Sequence, residues 1–260
     1  MEIIGYASAV AIGLILGLLG GGGSILSIPV LVYLFGIEPV RASAYSLFIV
    51  GLTSLVGVVP KYRASLVNVK MALLFGVPSI AAIFSTRKWF IPIIPEHVAS
   101  IGEYVVSKRM LLLGLFALLM LLAAIPMIRS KAGPDTPHPS KPAYQLILQG
   151  LVVGFITGLV GAGGGFLIIP ALVFLGGLPF KSAAGTSLLI IALNSLVGFL
   201  GDVLNYAMDW TFLLSISGLA ILGIFLGAKL SDKLHGDLLR RIFGWFVLIT
   251  GLYILSKELI

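Results

Sequence analysis

The chain has 260 residues, 59% of them hydrophobic and only 10% charged, with a mean hydropathy of +1.14. This composition excludes a soluble globule, which could not cover itself with so few polar side chains, and leaves room for eight or more membrane spans of about twenty residues each. Cysteine is absent, so disulfides, thiol catalysis and thiolate metal sites are excluded. The net charge of +7 reads first as lysine and arginine anchored at anionic lipid, and second as a weak hint of anionic cargo.

The first long apolar run covers residues 3–20 and ends in small residues, as a secretory leader does. It is not read as one, because the same run returns at residues 146–161, where no cleavage could act. A glycine run, Gly20, Gly21, Gly22 and Gly23, follows. Next comes a short apolar piece, residues 24–35, with Pro29 inside it. Twelve helical residues reach about 18 Å, too short for a hydrocarbon core of about 30 Å, so this piece is a half-helix or re-entrant segment. Spans are predicted at 42–59, 69–86 and 110–128. Between the last two lies the polar stretch 87–109, whose Trp89, Phe90, Pro92, Pro95 and Tyr104 suit the membrane interface.

Residues 129–142 carry Pro134, Pro137, Pro139 and Pro142 with Lys131, Asp135 and Lys141, the composition of a linker. Beyond it the plan repeats, with spans at 144–161, 183–200, 210–228 and 238–255. A second glycine break, Gly161 with Gly163, Gly164 and Gly165, opens a second short piece at 166–175 that contains Pro170. The expected division is a first transmembrane repeat at 1–128, a linker at 129–143 and a second repeat at 144–260. The fold class is all-α polytopic membrane protein, with about eight spans in two internal repeats.

The repeat is literal. Residues 17–29 read GLLGGGGSILSIP and residues 158–170 read GLVGAGGGFLIIP, 141 positions later. Ser46 and Leu47 meet Ser187 and Leu188 at the same offset, and Ser54 to Gly57 meet Ser195 to Gly198. A repeated helix break in a membrane chain points to a transport site between two half-proteins. With four spans per half the halves lie parallel, and the loops divide the Lys/Arg residues ten to seven, which puts both termini outside the cytoplasm. If the short pieces cross, each half has five spans and the repeats are inverted.

Consecutive glycines adopt backbone conformations closed to other residues, and at membrane depth only a protein- or water-lined cavity tolerates such irregular backbone. If a half-helix starts after each run, at Ser24 and Phe166, its N–H groups and positive dipole end could hold an anion without a lysine in the bilayer core. Gly13, Gly17, Gly154 and Gly158 are read as helix packing only. No Gly-Lys-Ser/Thr follows the second glycine run, so a phosphate loop is not implied.

These paired glycine signatures resemble those of the TauE/SafE sulfite exporter family, as do the AGTSL at residues 184–188 and the Gly201-Asp202 pair. The resemblance spans nearly the whole chain. It implies a small transporter of sulfur-containing anions such as sulfite and organosulfonates. The first half has SAYSL at 43–47 where the second has AGTSL, so the halves are expected to contribute unequally.

Polar residues on the second span of each half complete the candidate site: Ser46 and Ser54, and Thr186, Ser187, Asn194 and Ser195. Singly, such hydroxyls more often bond their own helix; as repeated pairs they are better substrate contacts. Asp202 is a candidate proton carrier, with helix capping as the plainer reading. His97, His138 and His235 have no ligand spacing, so neither a metal nor another cofactor is expected. The expectation is a secondary transporter in the plasma (inner) membrane, an exporter of sulfite, sulfoacetate or a related organosulfonate bound near the midplane between the repeats. Its partners are the small anion and the lipid bilayer, without nucleic acid and with a homo-oligomer open. A passive anion channel, and a lipid-phosphate flippase or membrane enzyme using the same pocket, remain alternatives.

Overall fold

The computed structural model describes residues 2–259 apart from 22, 96, 102, 103, 130–141, 161–163 and 204–206. The chain is helical nearly throughout. Helix α1 (Glu2–Leu19) ends at the first glycine run. Helix α2 (Gly23–Pro29) continues past its proline as a wider π-helical stretch, Val30–Leu34. Proline offers no N–H to the preceding turn, and the wider winding takes up the mismatch. Helix α3 (Pro39–Arg63) starts with Pro39 in its first turn, and the Glu38 carboxylate accepts from the N–H groups of Val40 and Arg41 at 3.0 and 3.1 Å. Helix α4 (Val69–Ser85) runs through a π-helical Thr86–Phe90 into a single turn, α5 (Ile91–Ile93). A hairpin of β1 (His97–Ile101) and β2 (Tyr104–Ser107) occupies the stretch expected at the interface, and α6 (Lys108–Arg129) closes the first half.

The second half has α7 (Ala143–Val160), α8 (Gly165–Pro170) with π-helical Ala171–Leu175, α9 (Phe180–Val203), α10 (Trp210–Lys233) and α11 (Gly236–Leu259). The offset of 141 extends to fine detail. Gly36 and Gly177 both take a left-handed conformation, φ 66° and 69°, where the short helices end. There Ile37 N–H donates to Leu31 and Leu178 N–H to Leu172, both at 3.0 Å, the six-residue loop that glycine permits at a helix C-terminus. Asn68 and Asp209 cap α4 and α10 through their side chains. All eight predicted spans coincide with helices, and seven described helices are long and apolar enough to cross a membrane.

Helix directions overturn the parallel arrangement. Gly51 lies against Ser195 and Leu196, Gly57 against Leu188, and Gly198 against Leu47, so α3 and α9 cross antiparallel near their middles. Equivalent helices of the two halves therefore point in opposite directions, the inverted alternative. The reason lies in the short pieces. Gly23 sits beside Ile12 and Leu16 of α1, and Phe35 packs edge-on to Tyr6 with ring centroids 6.1 Å apart. The short helix thus runs back along α1 to the side where α1 began, and the pair forms a re-entrant hairpin.

The first helix of each half packs on the third helix of the other. Gly13 and Gly17 meet the α10 backbone at Ala220, Ile224 and Ala228, while Gly150 and Gly154 meet α4 at Phe75 and Ser79. These glycines allow backbone-to-backbone approach, the packing role read from the sequence for Gly13, Gly17 and Gly154, while Gly158 packs against the Thr86 side chain. With the directions fixed, the end where α3 finishes carries nine Lys/Arg with described side chains: Lys61, Arg63, Lys70, Arg129, Lys181, Lys229, Lys233, Arg240 and Arg241. The opposite end carries five, Arg41, Arg87, Lys88, Lys108 and Lys257. The positive-inside rule places the first end in the cytoplasm and both termini outside. Because the native chain has no cysteine, single cysteines report sidedness directly. A membrane-impermeant maleimide should label His97→Cys on intact cells and Lys233→Cys only after lysis; the reverse pattern would invert this orientation.

Candidate functional site

The two glycine turns meet each other. A methyl group added at Gly165 would lie 2.7 Å from the Cα of Gly21, and one added at Gly21 would lie 2.9 Å from the carbonyl oxygen of Gly165. Only paired glycines permit that approach. Ile191, near the middle of α9, also borders Gly165, so the contact lies by the α3–α9 crossing. Gly20 adopts φ +80° with Ala184 against it, and Gly164 adopts φ +71° beside Thr157. Gly22, Gly161 and Gly163 lie outside the described residues.

Several hydroxyls expected to touch substrate also bond within the protein. Ser187 Oγ lies within hydrogen-bond reach of the carbonyls of Gly20 (2.9 Å) and Ala184 (2.8 Å). Ser24 donates to the Gly21 carbonyl at 2.7 Å, and Ser46 bonds Ser27. Thr186 accepts from Asn68 N–H at 2.9 Å, and at the equivalent place Tyr45 accepts from Asp209 N–H at 2.9 Å. The N–H groups at the short-helix starts are partly engaged as well. Ser24 N–H donates to Gly21, and those of Leu167 and Ile168 donate to Gly164. Phe166 is buried edge-on to Phe116, a packing role.

Among the described residues, Thr157 Oγ1, beside Gly164, is buried and unpaired, and two more unpaired hydroxyls lie about two helical turns farther along α3 and α9. Ser54 and Ser195 are fully buried and neither hydroxyl finds a partner among the described residues. Ser195 lies against Gly51, at the α3–α9 crossing, and Ser54 is its repeat equivalent. Asn194 donates from its amide nitrogen to Ser79 Oγ at 2.7 Å, while its amide oxygen is unpaired. Buried polar atoms without partners are rare in proteins and cost stability, so these atoms are candidates for a ligand or water contact.

Asp202 neither caps a helix nor faces lipid. It is 2% exposed and accepts from Arg87 Nη1 at 2.7 Å. Arg87, also 2% exposed, donates further to Ser43 Oγ from both terminal nitrogens at 3.0 Å. Sequence reasoning ended the third span at Thr86 and left Arg87 in a surface loop; the π-helical continuation carries it inward. One signal was available: Lys61 and Asp202 are repeat equivalents of opposite charge. Lys61 likewise pairs across the bundle, with Asp232 at 2.9 Å.

The two classes of serine should separate in stability. Ser187→Ala removes contacts to two carbonyls and is expected to cost about 1 kcal/mol. Ser54→Ala and Ser195→Ala remove hydroxyls that bond nothing in the protein and should leave the unfolding midpoint unchanged or raised. Thermal unfolding in detergent measures this, and equal losses at all three would give Ser54 and Ser195 structural partners.

Residues 6–254 match the model of the family described as sulfite exporter TauE/SafE. A probable membrane transporter protein of Xylella fastidiosa (strain 9a5c) is 31% identical, over 98% of this chain and 95% of its own length. The probable membrane transporter protein YunE of Bacillus subtilis is 28% identical over 95% and 96%. One from Methanocaldococcus jannaschii is 26% identical over 95% and 94%. Whole-length matches of this kind, on a bundle of apolar helices, identify a multi-pass integral membrane transporter, and the chain belongs to the TauE/SafE sulfite exporter family.

Proposed function

We propose that this transporter exports small sulfur-containing anions, sulfite or an organosulfonate such as sulfoacetate, and binds them between its two halves near the midplane. The observation that carries the reading is the set of buried, unpartnered atoms of Ser54 and Ser195, on the crossing helices α3 and α9, and of Asn194, whose side chain reaches from α9 to α4. Serine hydroxyls can turn their protons toward an oxyanion, and the glycine turns beside them let backbone approach it closely. The description of the matching family, a sulfite exporter, supports the choice of anion. Inverted halves supply the means of transport. A site at the axis between them can open to either side when one half rocks against the other.

Thermal unfolding of the detergent-solubilised chain against sulfite, sulfoacetate, taurine, sulfate, acetate and an isoprenyl phosphate, at constant ionic strength, tests the binding. A ligand that binds the folded state alone stabilises it by about 2.7 kcal/mol at a hundredfold excess over its dissociation constant. Selective stabilisation by sulfite or a sulfonate is expected, followed in proteoliposomes by saturable flux that the same anion accelerates from the opposite side. Stabilisation by the isoprenyl phosphate alone would replace this reading with lipid handling, and flux that neither saturates nor exchanges would make the protein a channel.

A further inference from the structure

We propose that Arg87 is a charged ligand that receives the transported anion at the end of the bundle where α3 begins, beyond the midplane centre, and that Asp202 is an internal counter-ion that holds its place when no anion is bound. The proposal rests on the anion-transport reading and names a residue for it.

Three observations support it. First, both charges of the pair are buried, side chains 1% and 3% exposed, whereas the Lys61–Asp232 pair, which also joins two helices, keeps its carboxylate 68% exposed. The two pairs join equivalent helices, α9 to the end of α4 and α3 to α10. An exposed partner therefore suffices to tie such helices, and a tie alone does not require two charges to leave water. Second, the guanidinium is not saturated. Its terminal nitrogens serve Asp202 and Ser43, but Nε has no partner. The Nε–Nη2 edge is one that an arginine presents to an oxyanion in a two-pronged contact. Third, Ser43, which takes two of the guanidinium's bonds, also lines a small cavity of about 10 Å³ with Ile28, Ile91, Leu113 and Val160, roughly the space of one water. That cavity lies where α7 ends before the second glycine turn. The equivalent position of Arg87 in the other half is Ala228, so the cation is held by one half of the site only.

The chemistry is an exchange of anions. With the site empty, the carboxylate of Asp202 neutralises the guanidinium; an arriving sulfite or sulfonate takes its place on the arginine. Removing the competitor should therefore strengthen binding, whereas breaking a purely structural pair should only destabilise the protein.

Isothermal titration of the full-length detergent-solubilised protein with sulfite and sulfoacetate tests this. The double variant Arg87→Gln/Asp202→Asn removes both charges together, which spares the fold an unpaired buried ion. Its unfolding midpoint should stay near that of the wild type while its affinity for the anion falls about tenfold or more. Asp202→Asn alone should bind several times more tightly than the wild type, and the anion should raise its unfolding midpoint more than it raises the wild type's. Wild-type affinity in the double variant, or an Asp202→Asn protein that is destabilised and not rescued by anion, overturns the assignment while leaving the anion reading intact. Absence of anion binding by the wild type overturns both.

Discussion

Everything in this molecule is arranged around the direct backbone contact between Gly21 and Gly165. Peptide groups at membrane depth cannot be left to lipid, so a helix can break there only if protein or water receives its polar atoms. Each half supplies what the other lacks. The Gly20 carbonyl of the first half takes the Ser187 hydroxyl of the second, and the two turns shield one another. The inverted relation of the halves follows from this need, since a two-fold axis through the α3–α9 crossing is what brings both breaks to one place.

The same axis explains why the serines divide into two kinds. Ser24, Ser46 and Ser187 neighbour the breaks and are tied to the turn segments. Ser54 and Ser195 lie farther along intact helices and have no such partner. Serines bonded within the protein therefore sit on the same helices as buried hydroxyls without a protein partner, whose hydrogen bonding polar ligand atoms can complete.

Hydropathy made the helices legible because each is apolar over nearly its full length, and the repeated GLLGGGG and GLVGAGGG strings located the breaks. The direction of the halves was not legible. It depends on whether residues 24–35 stay at the far side or run back along α1, and that is decided by contacts such as Phe35 on Tyr6, which no local pattern encodes. Nor could composition separate Ser54 from Ser46, two buried serines on one helix whose difference is a hydroxyl partner on another segment. Arg87 was hidden because it follows the predicted end of its span by one residue, and only the π-helical continuation turns it toward Asp202.

The crossed packing of first on third helices bears on how the protein is made. Helix α1 leaves the ribosome well before α10, whose backbone its Gly13 and Gly17 fit and which begins only at Trp210. At about 5–20 residues per second, α1 and its re-entrant partner wait roughly 10–40 s in the membrane before that surface exists. During biogenesis the broken backbone at the first glycine turn has no second turn to close against. The nascent first half is thus a species that the insertion machinery, water or other lipid-embedded protein must shelter until the second half arrives.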